Sequence, residues 1–223
     1  MQTRDTSPTL KLRALLESAG APFSVSHHRP GEIVFRQGDE SNTVMHIEEG
    51  RVRLSVSSFA GKGAICGLMG PGSFLGEDVL GGCAFRRQTA TAIVATELLV
   101  ISRATMTGLL RNNQAIAQQF IAHTLARKSS LETDLTVQLL YSGEERLIHT
   151  LLGLAGCDSR CAGRYDLPKV SQETIAEMVG TTRSRVNHFM GKFKKIGFLE
   201  KHGALLQVNP SSLNGVRTAD RAF

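Results

Sequence analysis

The chain has 223 residues and a 41% hydrophobic fraction, with 26 Lys and Arg against 20 Asp and Glu for a net charge of +6, which is enough for two small globular domains. No apolar run reaches the ~18 residues of a membrane span, the first twenty residues lack the apolar core of a signal peptide, and the four cysteines (66, 83, 157 and 161) are too scattered for a disulfide framework. These features predict a protein of the reducing cytoplasm with no membrane partner, and the lack of G-x-S-x-G, P-loop, H-E-x-x-H or paired catalytic motifs predicts no enzyme and no catalytic residues.

Residues 8–19 read as a short amphipathic helix carrying Leu10, Leu12, Leu15 and Leu16. From residue 22 to about 102, short β-rich runs alternate with Gly turns, at 32–35, 43–49, 51–57, 64–69, 88–95 and 98–102. Many short strands with regular turn signals predict an antiparallel β-roll or jelly roll. The glycines of GPGSFLG at 70–76 are spaced GxGxxxG and stand among short strands, so they do not make a dinucleotide fold.

From Met106 to about Leu140 the chain is nearly free of Gly and Pro and reads as one long helix. Ala117, Ile121, Leu125, Leu131, Leu135 and Leu139 form a stripe, interrupted by Thr124 and Lys128. An average helix has ~12 residues, so a dimerisation helix packing outside its own domain is expected; a helix lying on its own barrel is the competing reading. A further helix follows at 144–155, then a polar loop with Cys157 and Cys161. Zinc would need two more ligands beside that C-x3-C pair. None is evident, so free thiols and no metal are expected, with redox sensing as the other reading.

Residues 171–196 read as helix, turn, helix. Ser171 is an N-cap, and Ile175, Ala176 and Val179 make one small apolar face. Gly180 ends the helix where a left-handed residue is needed. Val186, Phe189, Met190 and Phe193 recur at helical spacing as the inward face of the second helix. Arg183, Ser184 and Asn187 then face outward, the pattern of a helix-turn-helix whose second helix enters the DNA major groove. An ordinary helical hairpin is the alternative. Seven Lys and Arg against three acids between Lys169 and Lys201 give this segment +4 of the whole chain's +6, which favours DNA. Two short strands around His202-Gly203 complete a winged motif.

In this order, β-roll, long helix and winged helix-turn-helix resemble the cyclic-AMP receptor protein and fumarate–nitrate regulator (CRP/FNR) superfamily of bacterial transcription factors, from about Pro22 to Val208. Within the roll the resemblance is carried by Gly31-Glu32, Gly38, Gly50, PGSFLGED at 71–78 and RRQTATA at 86–92. It implies an α+β fold with a sensor domain at 1–105, a dimerisation helix at 106–142 and a winged helix-turn-helix at 143–223. It also implies a homodimer that binds double-stranded operator DNA and meets RNA polymerase.

By the same resemblance, Gly76 and Glu77 match the Gly-Glu of a cyclic-phosphate cassette and Arg87 its phosphate-binding Arg. A helix start attracts an anion, an Arg adds a charge-assisted hydrogen bond, and a Glu accepts from a sugar hydroxyl. The family's cyclic-AMP binders follow the Arg with Ser or Thr and then Ala; this chain has Gln88, then Thr89 and Ala90. Moving the match by one puts Gln88 in the Arg slot and loses the charge. The base-contacting positions fall on Leu131 and Glu132, with Ser129, Ser130 and Thr133 beside them. Cyclic AMP, cyclic GMP and a pocket without nucleotide all stay open, as does the reading of Arg86 and Arg87 as surface charge.

The superfamily's iron–sulfur type needs a cluster of N-terminal cysteines that this chain lacks. For the haem type His27, His28 and His46 are candidates by composition alone, so no haem is expected. On the DNA side the resemblance places Arg183, Ser184 and His188 at base-facing positions, with Arg185 and Asn187 close by. Arg183 suits guanine and Asn187 adenine. The cyclic-AMP type carries Glu where Ser184 stands and Arg where His188 stands, which implies a different half-site. Thr181, Thr182, Lys192 and Lys195 suit phosphates. A ligand-independent DNA binder and a protein-binding, cyclic-nucleotide-responsive adaptor are the competing functions.

Overall fold

A computed structural model describes residues 12–58, 63–157, 159, 161–203 and 205–215. The chain divides into two compact units after Ser129.

In the first unit, α1 (Leu12–Ser18) buries Leu12 and Leu16; residues 8–11 of the expected helix lie outside the described residues. Eight strands follow: β1 (Ser24–His28), β2 (Ile33–Phe35), β3 (Thr43–Glu49), β4 (Val52–Ser57), β5 (Gly63–Met69), β6 (Phe74–Leu75), β7 (Thr89–Ala92) and β8 (Thr96–Ser102). They form two antiparallel four-stranded sheets, ordered β1-β8-β3-β6 and β2-β7-β4-β5. Alternation along β3 turns Val44 and His46 to the interior, opposite Ile101 and Leu99 of β8. Phe35, Val52, Leu54, Leu75 and Leu98 fill one part of the core, and Val44, Phe74, Leu99 and Ile101 fill another with the α1 leucines. β1 and β6 were not among the expected runs: β1 reads SVSHH, with little apolar content, and β6 is two residues long.

The expected single helix from Met106 to Leu140 is two helices. α2 (Arg103–Asn112) is capped by Ser102, whose hydroxyl accepts from the Thr105 amide at 3.0 Å, and it buries Met106 and Leu109. At Asn113 the backbone leaves helical geometry for an extended conformation (φ −126°, ψ 101°). The Asn113 side chain then accepts from the Ile116 amide at 3.1 Å and so caps α3 (Gln114–Leu140). The apolar stripe on α3 is exposed along most of its length: Ile121, Leu125, Leu131, Leu135 and Leu139 are each between 45% and 73% accessible.

The second unit contains α4 (Gly143–Ala155), β9 (Tyr165–Asp166), α5 (Gln172–Val179), α6 (Arg183–Lys195), β10 (Leu199–His202) and β11 (Leu205–Val208). A capping box starts α4: the Ser142 hydroxyl accepts from the Glu145 amide while the Glu145 carboxylate accepts from the Ser142 amide. The core is apolar throughout, with Leu147, Leu151, Val179, Val186, Phe193 and Phe198 at its centre. Phe193 and Phe198 meet edge to face, 5.4 Å between centroids. The wing is a three-stranded sheet ordered β10-β11-β9, so part of the expected polar loop is a strand: Asp166 and Tyr165 pair with Gln207 and Val208.

Candidate nucleotide pocket and nucleic-acid interface

β6 delivers the chain into the Gly-Glu loop. Gly76 adopts φ 70°, a left-handed conformation that favours glycine, and a 3-10 turn over Glu77–Gly81 follows. A Cβ at position 76 would overlap the Arg86 guanidinium. Arg86, only 6% exposed, is the buried arginine of the pair. It donates to the Thr43 carbonyl at 2.9 Å and the Thr43 hydroxyl at 2.7 Å, approaches the Gly76 carbonyl at 3.5 Å, and stands 4.4 Å from the Phe35 ring centroid. Burial works against its charge, and Asp39, Asp78 and Glu77 favour it.

Arg87 points to solvent. The resemblance put the phosphate-binding role on Arg87, which is exposed beside the buried Arg86.

Gly76, Glu77, Arg87 and Gln88 do come together, with Arg86, around one small cavity of about 20 Å³. Thr89 is not part of that lining; its hydroxyl accepts from the Gln37 amide at 3.0 Å. The donors fit the anionic part of a cyclic nucleotide. The space fits about one water, which needs ~10–15 Å³. Burial pushes the Glu77 carboxyl above the usual carboxylate range, opposed by its backbone hydrogen bond and by Arg127, whose Nε stands 3.7 Å away. Arg127 belongs to α3 and also donates to the Met69 sulfur at 2.7 Å. Leu131 and Glu132, the expected base-contacting positions, are exposed on α3.

Two histidines flank Phe74 just before this loop. His46 is 2% exposed, and its Nδ1 lies 2.9 Å from the Glu48 carboxylate. Its ring centroid is 5.0 Å from that of Phe74, and the His123 ring of α3 is 5.4 Å from the same Phe74 ring. His123 Nε2 accepts from the Phe74 amide at 3.4 Å. Burial lowers both imidazole pKa values; Glu48 opposes this for His46, while Arg127 and His46 add to it for His123. His27 is exposed and 3.6 Å from Glu97, and His28 bonds Ser26 at 3.1 Å. Among the described residues no group of three or more His, Cys, Asp or Glu is arranged to hold a metal.

In the second unit the helix-turn-helix has the expected geometry. The Ser171 hydroxyl accepts from the Thr174 amide at 3.0 Å, and Gly180 (φ 69°) closes α5 with its amide on the Ala176 carbonyl. Thr182 caps α6, accepting from the Arg185 amide at 3.3 Å. Val186, Met190 and Phe193 are buried, while Arg183, Ser184, Arg185, Asn187, His188, Lys192 and Lys195 are exposed, and Thr181 is half-buried. Two of the expected DNA-contacting residues carry internal ion pairs that sequence did not reveal. Arg183 meets Glu173 at 2.7 Å, and Lys192 meets Glu144 of α4 at 2.7 Å. Lys194, exposed beside Lys195, joins the basic end of α6. Gln138, near the end of α3, accepts from Arg146 at 2.7 Å and donates to the Met178 carbonyl at 3.5 Å, beside the turn.

Comparison with known proteins agrees with this layout. The family model of the cyclic nucleotide-binding domain matches residues 25–113, and that of the Crp-like helix-turn-helix domain matches residues 145–215. The cyclic AMP receptor protein of Thermus thermophilus is 28% identical over 185 residues, 82% of each chain. A CRP-like cAMP-activated global transcriptional regulator of Mycobacterium tuberculosis is 25% identical over 187 residues, 81% of this chain and 82% of its own. The solved structure of the c-di-GMP-responsive global regulator CLP of Xanthomonas campestris shares the fold, with a TM-score of 0.73 at 20% identity over 88% of this chain and 99% of its own. A cyclic nucleotide-binding domain joined to a Crp-like helix-turn-helix defines a DNA-binding transcription regulator. The chain belongs to the CRP/FNR superfamily, with the α+β architecture of that family.

Proposed function

We propose that this protein acts in the cytoplasm as a homodimer on operator DNA and passes the state of its sensor domain to RNA polymerase. The observation that carries the reading is the exposed face of α6, where Arg183, Ser184, Asn187 and His188 stand opposite a fully apolar underside. Arg183 and Asn187 read bases, with Ser184, Arg185 and His188 beside them; Thr181, Thr182, Lys192 and Lys195 meet phosphates. The exposed leucines of α3 support dimerisation, since so long an apolar stripe is costly in a monomer. Residues 106–142 are then the dimerisation segment between a sensor at 1–105 and a DNA-binding domain at 143–223. In a dimer the recognition helices meet successive major grooves ~34 Å apart.

The sensor's ligand is a cyclic nucleotide, cyclic AMP or cyclic GMP, with its phosphate at Gly76 and Arg87, a sugar hydroxyl on Glu77, and Gln88 and Thr89 at the edge. Two tests address the two halves. Arg183→Ala is expected to weaken operator binding by about 1–3 kcal/mol and to relax the sequence preference; an unchanged footprint and affinity would refute the DNA assignment. Calorimetric titration with each nucleotide is expected to give saturable binding that is lost in Arg87→Ala.

A second reading has its own support. Arg86 is already held by Thr43 and Phe35, and the cavity admits about one water. On that reading the roll is a scaffold and DNA binding is ligand-independent. Tight operator binding that neither nucleotide alters would select it.

A further inference from the structure

The second unit contains a cavity of about 380 Å³ beneath the wing, away from the DNA-reading face of α6. That volume lies in the range of small-molecule sites. Its walls are apolar and well packed: Leu151 of α4, Leu167 after β9, Ile175 of α5 and Met190 of α6 are each no more than 6% exposed. Leu205 and Leu206 of the wing line it as well.

Two polar groups at its rim lack good partners. The exposed Lys169 ammonium has no ion pair among the described residues. The Gln172 amide has, among the described residues, only a weak bond to the Met190 sulfur at 3.9 Å. Both present hydrogen-bond donors, and Lys169 is the single charged residue on the lining. Glu173, the acid nearest in sequence, is turned to Arg183 at 2.7 Å. An apolar chamber with a cation and an amide N–H at its mouth has the complementarity of an amphiphile: a hydrocarbon body inside and a carboxylate at the rim.

We propose that this cavity binds a small apolar carboxylate and that the DNA-binding domain therefore carries an effector site of its own. The occupant touches α4, α5, α6 and the wing at once. Any preference it has for one arrangement of these elements passes directly to DNA affinity. Met190 is the link, because its side chain forms cavity wall on one side and anchors the recognition helix on the other.

The test uses the full chain with decanoate as probe and decanol as its uncharged counterpart. Calorimetry is expected to show saturable decanoate binding, with methyl NMR shifts at Ile175 and Met190. Lys169→Glu is expected to weaken decanoate at least tenfold and leave decanol within twofold. Leu154→Trp, which fills the chamber from a half-buried position, is expected to remove both. Bound decanoate is expected to change affinity for a mixed-sequence duplex at least threefold. Absence of binding, or shifts confined to the sensor domain, would overturn the site. Equal binding of decanol, indifferent to Lys169→Glu, would overturn the anionic class, and an unchanged duplex affinity would overturn the effector role.

Discussion

The two ends of this chain use arginine in opposite ways. Arg86 is buried in the β-roll with its donors on Thr43 and its plane over Phe35, so its charge is committed within the fold. Arg183 projects from α6 with 67% of its side chain exposed and a single carboxylate, Glu173, beside it. Desolvation separates the two cases. A buried guanidinium loses hydration that its partners must replace, whereas an exposed one exchanges an ion pair worth under ~1 kcal/mol for a phosphate or a base. Arg86 is therefore a completed set of polar contacts, and Arg183 a contact held in reserve.

The largest expected effect sharpens that contrast. Arg86→Ala removes a buried charge and leaves Thr43 and nearby acids uncompensated, which should lower stability by about 3 kcal/mol. Arg87→Ala, one residue away on the solvent side, should stay within about 0.5 kcal/mol. Urea unfolding of both variants decides; equal losses would break the distinction.

A smaller effect concerns pH. Folded His46 and His123 have pKa values below the ordinary 6.5. The unfolded chain therefore binds more protons, and stability rises with pH. Their contribution is present above about pH 6.5 and is lost as pH falls through the lowered folded values. The unfolding midpoint should drop on acidification over that window. His123→Gln, which keeps an acceptor for the Phe74 amide but does not titrate, should flatten the drop. An unaltered profile in that variant would remove His123 from the account.

The smallest effect belongs to the reserve charges. Lys195→Ala should weaken all duplexes alike and lower the slope of log affinity against log salt by about one. Lys192→Ala should do less, because its ammonium already meets Glu144 at 2.7 Å. Fluorescence anisotropy across a salt series separates the two, and a sequence-selective loss in Lys195→Ala would contradict a phosphate role.

What could be read from sequence follows the same division. The outward and inward faces of α6 are separated by helical period alone, and β3 matched its expected bounds because its alternation is clear. Which of Arg86 and Arg87 is buried could not be read from spacing to Glu77. It depends on which neighbour has Thr43 and Phe35 across the roll, and those residues are distant in sequence. The ion pairs of Arg183 and Lys192 were hidden for a similar reason: Glu173 and Glu144 lie on other helices. The break between α2 and α3 carries neither Gly nor Pro, and only the capping ability of Asn113 betrays it.

That break makes Asn113 a corner between two separately capped helices. The Asn113 amide bonds back to Leu109 at 2.8 Å, and its side chain serves the first turn of α3, so each helix is finished on its own side. Bending an unbroken helix would strain a ladder of hydrogen bonds, whereas here a change of direction is taken up by two backbone torsions. Met106 and Leu109 on one side and Ile116 on the other are buried in the same core, so the direction chosen at Asn113 is fixed by packing and sets where the rest of α3 starts.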